Sequence, residues 1–368
     1  GGRPVELDLL ITGGRVVDGT GSPARPADVG VRGDRIVAVG DLAGATARSR
    51  IDARDRLVTP GFVDLHGHSD WTLLSDGRAR SKVHQGITTE VTGNCGLTPF
   101  PAPAEARDAI RSAAAIVDLD RGVPLTWDST AGYRATLARS GIAMNAAILT
   151  GHVALRLAVG GGSAAPLDAA GIARIEAEAD RALDEGAVGL STGLMYPPAM
   201  FAQPDELAAL GRAVARHDAL FAVHMRNYGD TLLEAVDEAL AVARATGCRL
   251  QVSHLAVAGR RNWGKVARAL ERIDAARAEG LDIGADIYPY LAGSANLSQL
   301  LPGWAQEGGS PAIVARLADP AIRERIRAEW VATLHLGWDE VFVSLVDADL
   351  APLVLGKAID RKSTRLNS

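Results

Sequence analysis

Two histidines one residue apart follow a short apolar run in the segment TPGFVDLHGHSD, residues 59–70. The run GFVDL predicts a short buried strand, and side chains two residues apart in a strand point to the same side. His66 and His68 would therefore leave the strand end on one face, close enough to bind one ion. A pair of hydrogen-bonded core histidines is the alternative that this segment alone leaves open.

After Pro60 the sequence alternates between apolar runs and amphipathic segments. Strands are predicted at residues 61–66, 87–92, 143–150, 187–191, 220–224, 249–253 and 281–287. Helices are predicted between the later strands, at residues 168–185, 204–216, 230–246 and 264–279. This alternation is typical of parallel βαβ units, and seven such strands favour a TIM-type (β/α)8 barrel over an open doubly wound sheet.

In a barrel of this type, catalytic residues lie at the carboxyl ends of the strands. Five of the eight histidines and one of the two cysteines fall at predicted strand ends: His66, His68, Cys95, His152, His224 and His254. Imidazole and thiolate together suit zinc, so this clustering predicts a zinc site. Cys248 follows a predicted helix and is expected to be an ordinary buried cysteine. Other polar residues at the strand ends are Tyr196, Arg226, Asp286 and Tyr288.

Some of these residues have structural alternatives that the sequence leaves open. His152 would be a ligand, a substrate contact or a hydrogen-bonding residue behind the site, and the last two are favoured. Tyr196 and Tyr288 each lie beside a proline and would otherwise pack a loop. Asp286 would either belong to the site or be a buried residue that caps a loop.

Composition restricts the class of protein. A chain of 368 residues with 47% hydrophobic residues predicts a globular protein with a large core, and a net charge of -5 argues against a nucleic-acid partner. No apolar run approaches membrane-spanning length, and no signal segment is recognised. Two cysteines provide no disulfide framework, so a cytoplasmic location is expected.

Three regions are expected along the chain. Residues 1–58 predict a small β-sandwich domain, because β-branched residues and Gly-Asp turn signals recur there at hairpin spacing. Residues 59–360 predict the barrel domain. Residues 361–368, RKSTRLNS, differ in composition from everything before them and are expected to be a non-native tail.

Several motifs together resemble the D-aminoacylases, which are N-acyl-D-amino-acid deacylases of the amidohydrolase superfamily. The motifs occur in order up to about Lys357, and they are PGFVDLHGHSD, GNCG, GLSTGLMYPP, HMRN, QVSHL, NWGK and DIYPY. The resemblance implies zinc-dependent hydrolysis of the amide bond of N-acyl-D-amino acids, which are small-molecule substrates. It also implies one tight zinc bound by Cys95, His224 and His254, and a second, weaker metal position at His66 and His68.

The resemblance further implies a general base, an aspartate after the eighth barrel strand in a Ser-Asp-Gly setting. No such segment follows the seventh predicted strand, so we expect a barrel that lacks strand eight through C-terminal truncation, and a nearly inactive chain. Asp347 and Asp286 are the candidates for the base within the chain. The resemblance also implies that a covering insertion, which precedes strand eight and includes Asp347, starts near 295–360. Arg226 would bind the substrate carboxylate unless it forms a structural salt bridge. The other implied substrate-binding residues are Tyr196, Tyr288 and His152.

Two alternative functions stay open at this point. One is a cyclic-amide hydrolase, such as a dihydroorotase or a hydantoinase. Many amidohydrolases bridge two metals with a carbamylated lysine at a strand end, and none of the four lysines follows a predicted strand, which argues against this alternative. The other is an inactive barrel fragment that binds metal.

Overall fold

The computed structural model describes residues 6–115, 117–118, 122–333, 337–344, 346 and 349–359, without the side chains of residues 331–333. The chain divides into two compact units. One unit extends to Val63 and includes Gly86–Thr88, and the other comprises Asp64–Gln85 and the chain from Thr89 onward. The base candidate Asp347 and the tail 361–368 lie outside the described residues.

The first unit contains two small sheets. Its strands are β1 Leu7–Thr12, β2 Arg15–Val16, β3 Arg25–Pro26, β4 Asp28–Arg32, β5 Arg35–Gly40, β6 Ala47–Asp52 and β7 Leu57–Val58. One sheet has the order β5-β4-β1-β6 and the other the order β3-β2-β7. The Gly-Asp signal at residues 33–34 forms the turn between the antiparallel strands β4 and β5, and Gly33 has the positive φ of 59° that favours glycine there.

A seven-stranded sheet follows the order of the sequence, β14-β13-β12-β11-β10-β9-β8. Its strands are β8 Phe62–Asp64, β9 Ile87–Thr92, β10 Asn145–Gly151, β11 Gly189–Gly193, β12 Leu220–His224, β13 Arg249–Val252 and β14 Ile283–Ala285. Each neighbouring pair from β9 to β14 is parallel. This is the topology of a TIM-like barrel, with β8 and β14 at the two ends of the sheet in the described part of the chain.

Helices connect the parallel strands. Before β11 they are α1 Thr72–Ser75, α2 Arg80–Val83, α3 Arg107–Ala114, α4 Thr130–Ser140, α5 His152–Ala158 and α6 Ala169–Asp184. Between β11 and β14 they are α7 Pro204–Arg216, α8 Leu232–Thr246 and α9 Lys265–Ala278. The four helices predicted from the sequence correspond to α6 to α9 and differ only at their ends. The largest hydrophobic cluster joins these helices to β11, β12 and β13, and includes Ile175, Leu210, Phe221, Val236, Leu250 and Ile273.

Local sequence signals explain where these helices begin and end. The Asp168 side chain accepts a hydrogen bond of 2.7 Å from the Gly171 amide at the start of α6. Pro204 lies in the first turn of α7. Backbone N–H groups in the first turn have no acceptor within the helix, so the missing N–H of proline costs no helical hydrogen bond. Gly247 ends α8 in the left-handed conformation, with φ of 72°.

A helical region follows β14. Its helices are α10 Gly303–Gln306, α11 Gly309–Ala318, α12 Pro320–Thr333 and α13 Ala351–Val354. Buried Leu301, Ala305 and Ile326 form a small separate cluster in this region. Among the described residues, no helix combines the length and the apolar character needed to cross a membrane.

We predict that Asp168→Ala lowers the free energy of unfolding by about 1 kcal/mol, because the first turn of α6 loses its side-chain acceptor. Chemical denaturation of the purified chain measures the change. Asp168→Asn keeps an accepting oxygen at the same place and should stay close to wild type. Equal losses in the two variants would contradict this role of the cap.

Candidate metal centre

Four histidines and one cysteine meet at the carboxyl end of the sheet. His66 and His68 follow β8, Cys95 lies in a tight turn after β9, His224 is the last residue of β12, and His254 follows β13. Cys95 Sγ lies 3.4 Å from His66 Nε2 and 3.5 Å from His254 Nε2. His254 Nε2 lies 3.0 Å from His224 Nδ1.

These side chains form two overlapping groups that could hold a metal ion. One is His66, His68 and Cys95, and the other is Cys95, His224 and His254. Within each group the nitrogen and sulfur atoms all lie within 4.8 Å of one another. Cys95 belongs to both groups, so its sulfur is in reach of two neighbouring positions.

The backbone is unusual at two of the five residues. Cys95 has φ of 58° and His254 has φ of 34°, and both values fall in the region that residues with a Cβ rarely adopt. Such conformations persist only where the surrounding structure enforces them, and they concentrate at functional sites. Each of the two residues lies two or three positions beyond the end of a parallel strand, β13 or β9.

Three imidazoles of the cluster have lowered pKa values. Burial, together with repulsion from neighbouring histidines, lowers the pKa of His68 to about 3. The same two causes lower the pKa of His254 to about 4 and hold that of His224 well below its usual range. These three imidazoles are therefore neutral at pH 7, which is the state in which a ring nitrogen can bind a metal.

The pKa of the Cys95 thiol is raised, whereas the pKa values of the three histidines are lowered. Burial raises its pKa, and the nearby charge of Asp286 raises it further. A buried thiol stays protonated until a cation compensates the charge of the thiolate. The sulfur of Cys95 therefore requires a positively charged partner in order to become a thiolate at neutral pH.

Asp286 lies beside the cluster, just after β14. Its carboxylate accepts hydrogen bonds from the His254 amide at 2.7 Å and from Gln251 Nε2 at 2.8 Å. Its Oδ1 also lies 3.1 Å from His66 Nδ1. Burial alone would raise the pKa of Asp286, but His66, Gln251 and the His254 amide together lower it. The carboxylate is thus ionised and fixed against two histidines of the cluster.

Tyr196 and Tyr288, the two tyrosines singled out from the sequence, differ in what they contact. The ring centroid of buried Tyr196 lies 5.0 Å from that of His224. Burial raises the pKa of Tyr196, so its phenol is protonated and can donate a hydrogen bond at neutral pH. Tyr288 is half-buried and stacks on Tyr290 at 6.3 Å.

Tyr228 was not predicted from the sequence. Its ring lies 5.2 Å from that of His224 and 5.0 Å from that of His254. Its hydroxyl accepts a hydrogen bond from the Met225 amide at 2.9 Å and donates one to the Ser253 carbonyl at 3.2 Å. The only sequence signal is an aromatic residue four positions after a strand-ending histidine.

His152 is hydrogen-bonded on both sides of its ring. Its side chain is completely buried, with Nδ1 2.8 Å from Thr192 Oγ1 and Nε2 2.8 Å from Glu206 Oε1. Both ring nitrogens are therefore occupied inside the protein. Of the two favoured alternatives, this geometry fits the hydrogen-bonding residue behind the site.

Arg226 forms the structural salt bridge that was the alternative to substrate binding. Its Nε and Nη2 contact the Glu238 carboxylate at 3.0 and 2.9 Å. Its remaining donors reach the carbonyls of Met200 at 2.5 Å and Ala202 at 3.1 Å. The guanidinium is thus bound within the protein, and the expected contact with a substrate carboxylate does not fit this geometry.

The lysines of the described residues do not occupy the ends of barrel strands. Lys82 lies in α2, and its Nζ is 2.5 Å from Asp64 Oδ2 and 3.2 Å from Glu90 Oε1. Lys265 begins α9 and donates to the Asp230 carbonyl at 2.6 Å. Lys357 follows α13. A lysine that bridges two metals has no counterpart among them.

Comparison with known proteins gives a consistent set of relatives. The family model described as Amidohydrolase family matches residues 50–333. An N-acyl-D-glutamate deacylase from Alcaligenes xylosoxydans xylosoxydans is 45% identical over 289 residues, which are 78% of this chain and 58% of that protein. A D-aminoacylase from the same organism is 39% identical over 294 residues, 80% of this chain and 59% of that protein. The chain therefore spans less than two thirds of the length of these relatives.

A solved structure extends the similarity to nearly the whole chain. An N-acyl-D-glutamate deacylase from Bordetella bronchiseptica, complexed with zinc and a phosphonate inhibitor, superposes with a TM-score of 0.80 at 34% identity. The match covers 98% of this chain and 68% of that chain.

We predict that Arg226 and Glu238 are energetically coupled by about 1 kcal/mol, because their salt bridge is partly buried. Chemical denaturation of Arg226→Met, Glu238→Gln and the double variant measures this coupling. The double variant should lose less stability than the sum of the two single losses.

Glu234→Gln is the matched control, because Glu234 is an exposed residue of the same helix. Its effect should add to that of Arg226→Met. Additive losses for the Glu238 pair as well would contradict the structural role of Arg226.

Proposed function

The chain belongs to the amidohydrolase family, and from this membership we propose that it is part of a zinc-dependent N-acyl-D-amino-acid deacylase. The proposed reaction is hydrolysis of the amide bond of an N-acyl-D-amino acid to the D-amino acid and a carboxylate. The observation that carries this proposal is the meeting of Cys95, His224 and His254 at the ends of three barrel strands. The identities with relatives named as deacylases of D-amino acids support the choice of substrate class.

The residues of the cluster fit zinc. Cysteine sulfur and histidine nitrogen are the donors that zinc prefers, and its sites combine three or four of them. His68 Nδ1 and His224 Nε2 are buried atoms with no hydrogen-bond partner among the described residues, which is the state expected of donors directed at an ion. We assign Cys95, His224 and His254 to one tight zinc, and His66 and His68 to a second, weaker position.

Zinc at this place supplies a Lewis acid that polarises the substrate carbonyl and lowers the pKa of bound water. The protein residues would orient the reactants. Asp286 holds the His254 backbone and contacts the His66 ring, so it keeps two of the donors in place. The Tyr196 phenol lies beside His224 and stays protonated, so it would donate a hydrogen bond to the oxygen that gains charge.

The proposed substrate pocket does not have Arg226 as a free positive charge, which was one expectation from the sequence. With Arg226 bound to Glu238, the substrate carboxylate needs other donors. Tyr196 and Tyr288 are the proposed lining residues that remain. Hydroxyl donors bind a carboxylate without a full counter-charge, so we expect weaker substrate binding than an arginine would provide.

We further propose that the general base lies on an eighth barrel strand beyond this sequence. The described sheet has β8 and β14 at its two ends, and the relatives are longer than this chain. An eighth strand between β8 and β14 would close the barrel and present an aspartate at the same edge as the zinc donors. We retain residues 59–360 as the barrel domain and the region from 295 as the start of a covering insertion.

We predict that the purified chain contains about one tightly bound zinc, and that Cys95→Ala loses it because zinc loses its only sulfur donor. Elemental analysis after dialysis against a chelator measures the content. Cys248→Ala is the matched control, because Cys248 is an equally buried cysteine away from the cluster. Equal zinc content in Cys95→Ala and Cys248→Ala would rule out Cys95 as a ligand.

We predict that the protein, extended to the length of its relatives, consumes the D-enantiomer of N-acetyl-methionine and leaves the L-enantiomer nearly untouched. Chiral chromatography of a racemic digest measures both. Similar consumption of the two enantiomers would favour a broader amidase.

The 368-residue chain is the matched control for the missing base. General acid–base catalysis contributes ~10²–10⁴ in rate, so the short chain should be slower by at least that factor. Equal rates for the short and extended chains would place the base within the short chain, and Asp286 would then be the first residue to substitute.

A further inference from the structure

Ser191 lies in β11 and its side chain is completely buried. Its hydroxyl reaches the turn that carries Cys95. Ser191 Oγ accepts a hydrogen bond from the Gly96 amide at 2.9 Å and donates one to the Gly93 carbonyl. One side chain therefore bridges the two sides of the turn, and Cys95 lies between the bridged groups.

The turn is pressed closely against the neighbouring strands. A Cβ at Gly193 of β11 would lie 2.1 Å from the Cys95 carbonyl oxygen, and a Cβ at Gly151 of β10 would lie 2.5 Å from the Gly96 carbonyl oxygen. A side chain at either position would clash with these oxygens, so the backbone can approach this closely only because both residues are glycine. The backbone around Cys95 therefore has little room to move toward β10 or β11.

Cys95 adopts a left-handed conformation within this bridge, with φ of 58° and ψ of 20°. That conformation is unfavourable for a residue with a Cβ, so it needs external support. The Ser191 hydroxyl supplies a donor and an acceptor to the groups on either side of it. Without the hydroxyl, the Gly96 amide and the Gly93 carbonyl would lose a buried partner, and the turn could relax.

We propose that Ser191 is a positioning residue that holds the Cys95 turn so that its sulfur is directed at the metal position. This inference rests on the proposed metal centre, in which Cys95 is a ligand, but not on the proposed deacylase reaction. Residues that orient metal ligands from behind typically contribute about 10–100-fold to metal affinity. The hydroxyl is not part of the sheet ladder, in which the backbone of Ser191 is paired with Gly151 and Ala222.

Cobalt titration of the full 368-residue chain tests this role. Cobalt bound through a thiolate gives a near-ultraviolet charge-transfer band, so the band reports the bond between Cys95 and the ion. We expect Ser191→Ala to bind cobalt about 10–100-fold more weakly than wild type, with a weaker band. Ser191→Thr keeps the hydroxyl and should restore most of the affinity and of the band.

Ser253→Ala is the matched control. Ser253 is also completely buried at a strand end, beside His254, but its hydroxyl has no partner among the described residues. The same substitution there should leave cobalt affinity and the band close to wild type. A loss in Ser253→Ala as large as that in Ser191→Ala would overturn the specific role of Ser191.

The reactivity of the cysteines in the metal-free chain distinguishes loosening of the Cys95 turn from loosening of the whole fold. In the metal-free chain, iodoacetamide should alkylate Cys95 several-fold faster in Ser191→Ala than in wild type, as measured by mass spectrometry. Buried Cys248 is the internal reference and should keep its rate. Faster alkylation of both cysteines would indicate general loosening and would overturn the proposal.

The proposal would also be overturned if Ser191→Ala kept the cobalt affinity and the band of wild type. It would equally be overturned if the wild-type chain showed no thiolate band. If Ser191→Ala does not fold, Ser191→Cys is titrated by chelator competition, and an affinity equal to wild type would again overturn the proposal. A clear cobalt effect in an extended protein that does not cleave N-acyl-D-amino acids would leave Ser191 as proposed and reject the deacylase function.

Discussion

At the candidate metal centre, histidine nitrogens and the sulfur of Cys95 lie close together without enough hydrogen-bond partners. The rest of the site depends on this constraint. Cys95 Sγ has imidazole nitrogens of two histidines within 3.5 Å, and three ring nitrogens of the cluster have no hydrogen-bond partner among the described residues. Burying polar atoms without partners costs free energy. A bound cation would offset that cost, and it would also make the thiolate of Cys95 stable at neutral pH.

The parallel strands keep these atoms together despite their cost. Strands β9, β12 and β13 place Cys95, His224 and His254 at one edge of the sheet, and helices α6 to α9 pack their apolar faces on the strands behind them. The left-handed backbone at Cys95 and at His254 turns these two side chains toward the common centre. Strain at the edge is tolerated because the hydrophobic core beneath it is continuous.

Local patterns predicted the framework well and the long-range partners poorly. The seven strands of the parallel sheet and helices α6 to α9 follow from apolar periodicity and from caps such as Asp168 and Gly247, which are local properties. The sequence could not decide between the alternatives for His152 and Arg226, because each side chain binds one distant acid, Glu206 or Glu238. Both acids lie on helices and read as ordinary surface charges. Tyr228 was missed because an aromatic residue in a loop has no distinctive pattern.

The coordination of zinc tests the central claim most directly. X-ray absorption spectroscopy at the zinc edge of the loaded 368-residue chain resolves sulfur from nitrogen and oxygen neighbours. The account predicts one sulfur at about 2.3 Å and nitrogen neighbours at about 2.0–2.1 Å. A zinc shell of nitrogen and oxygen without sulfur would contradict it, because Cys95 would then lie outside the metal centre.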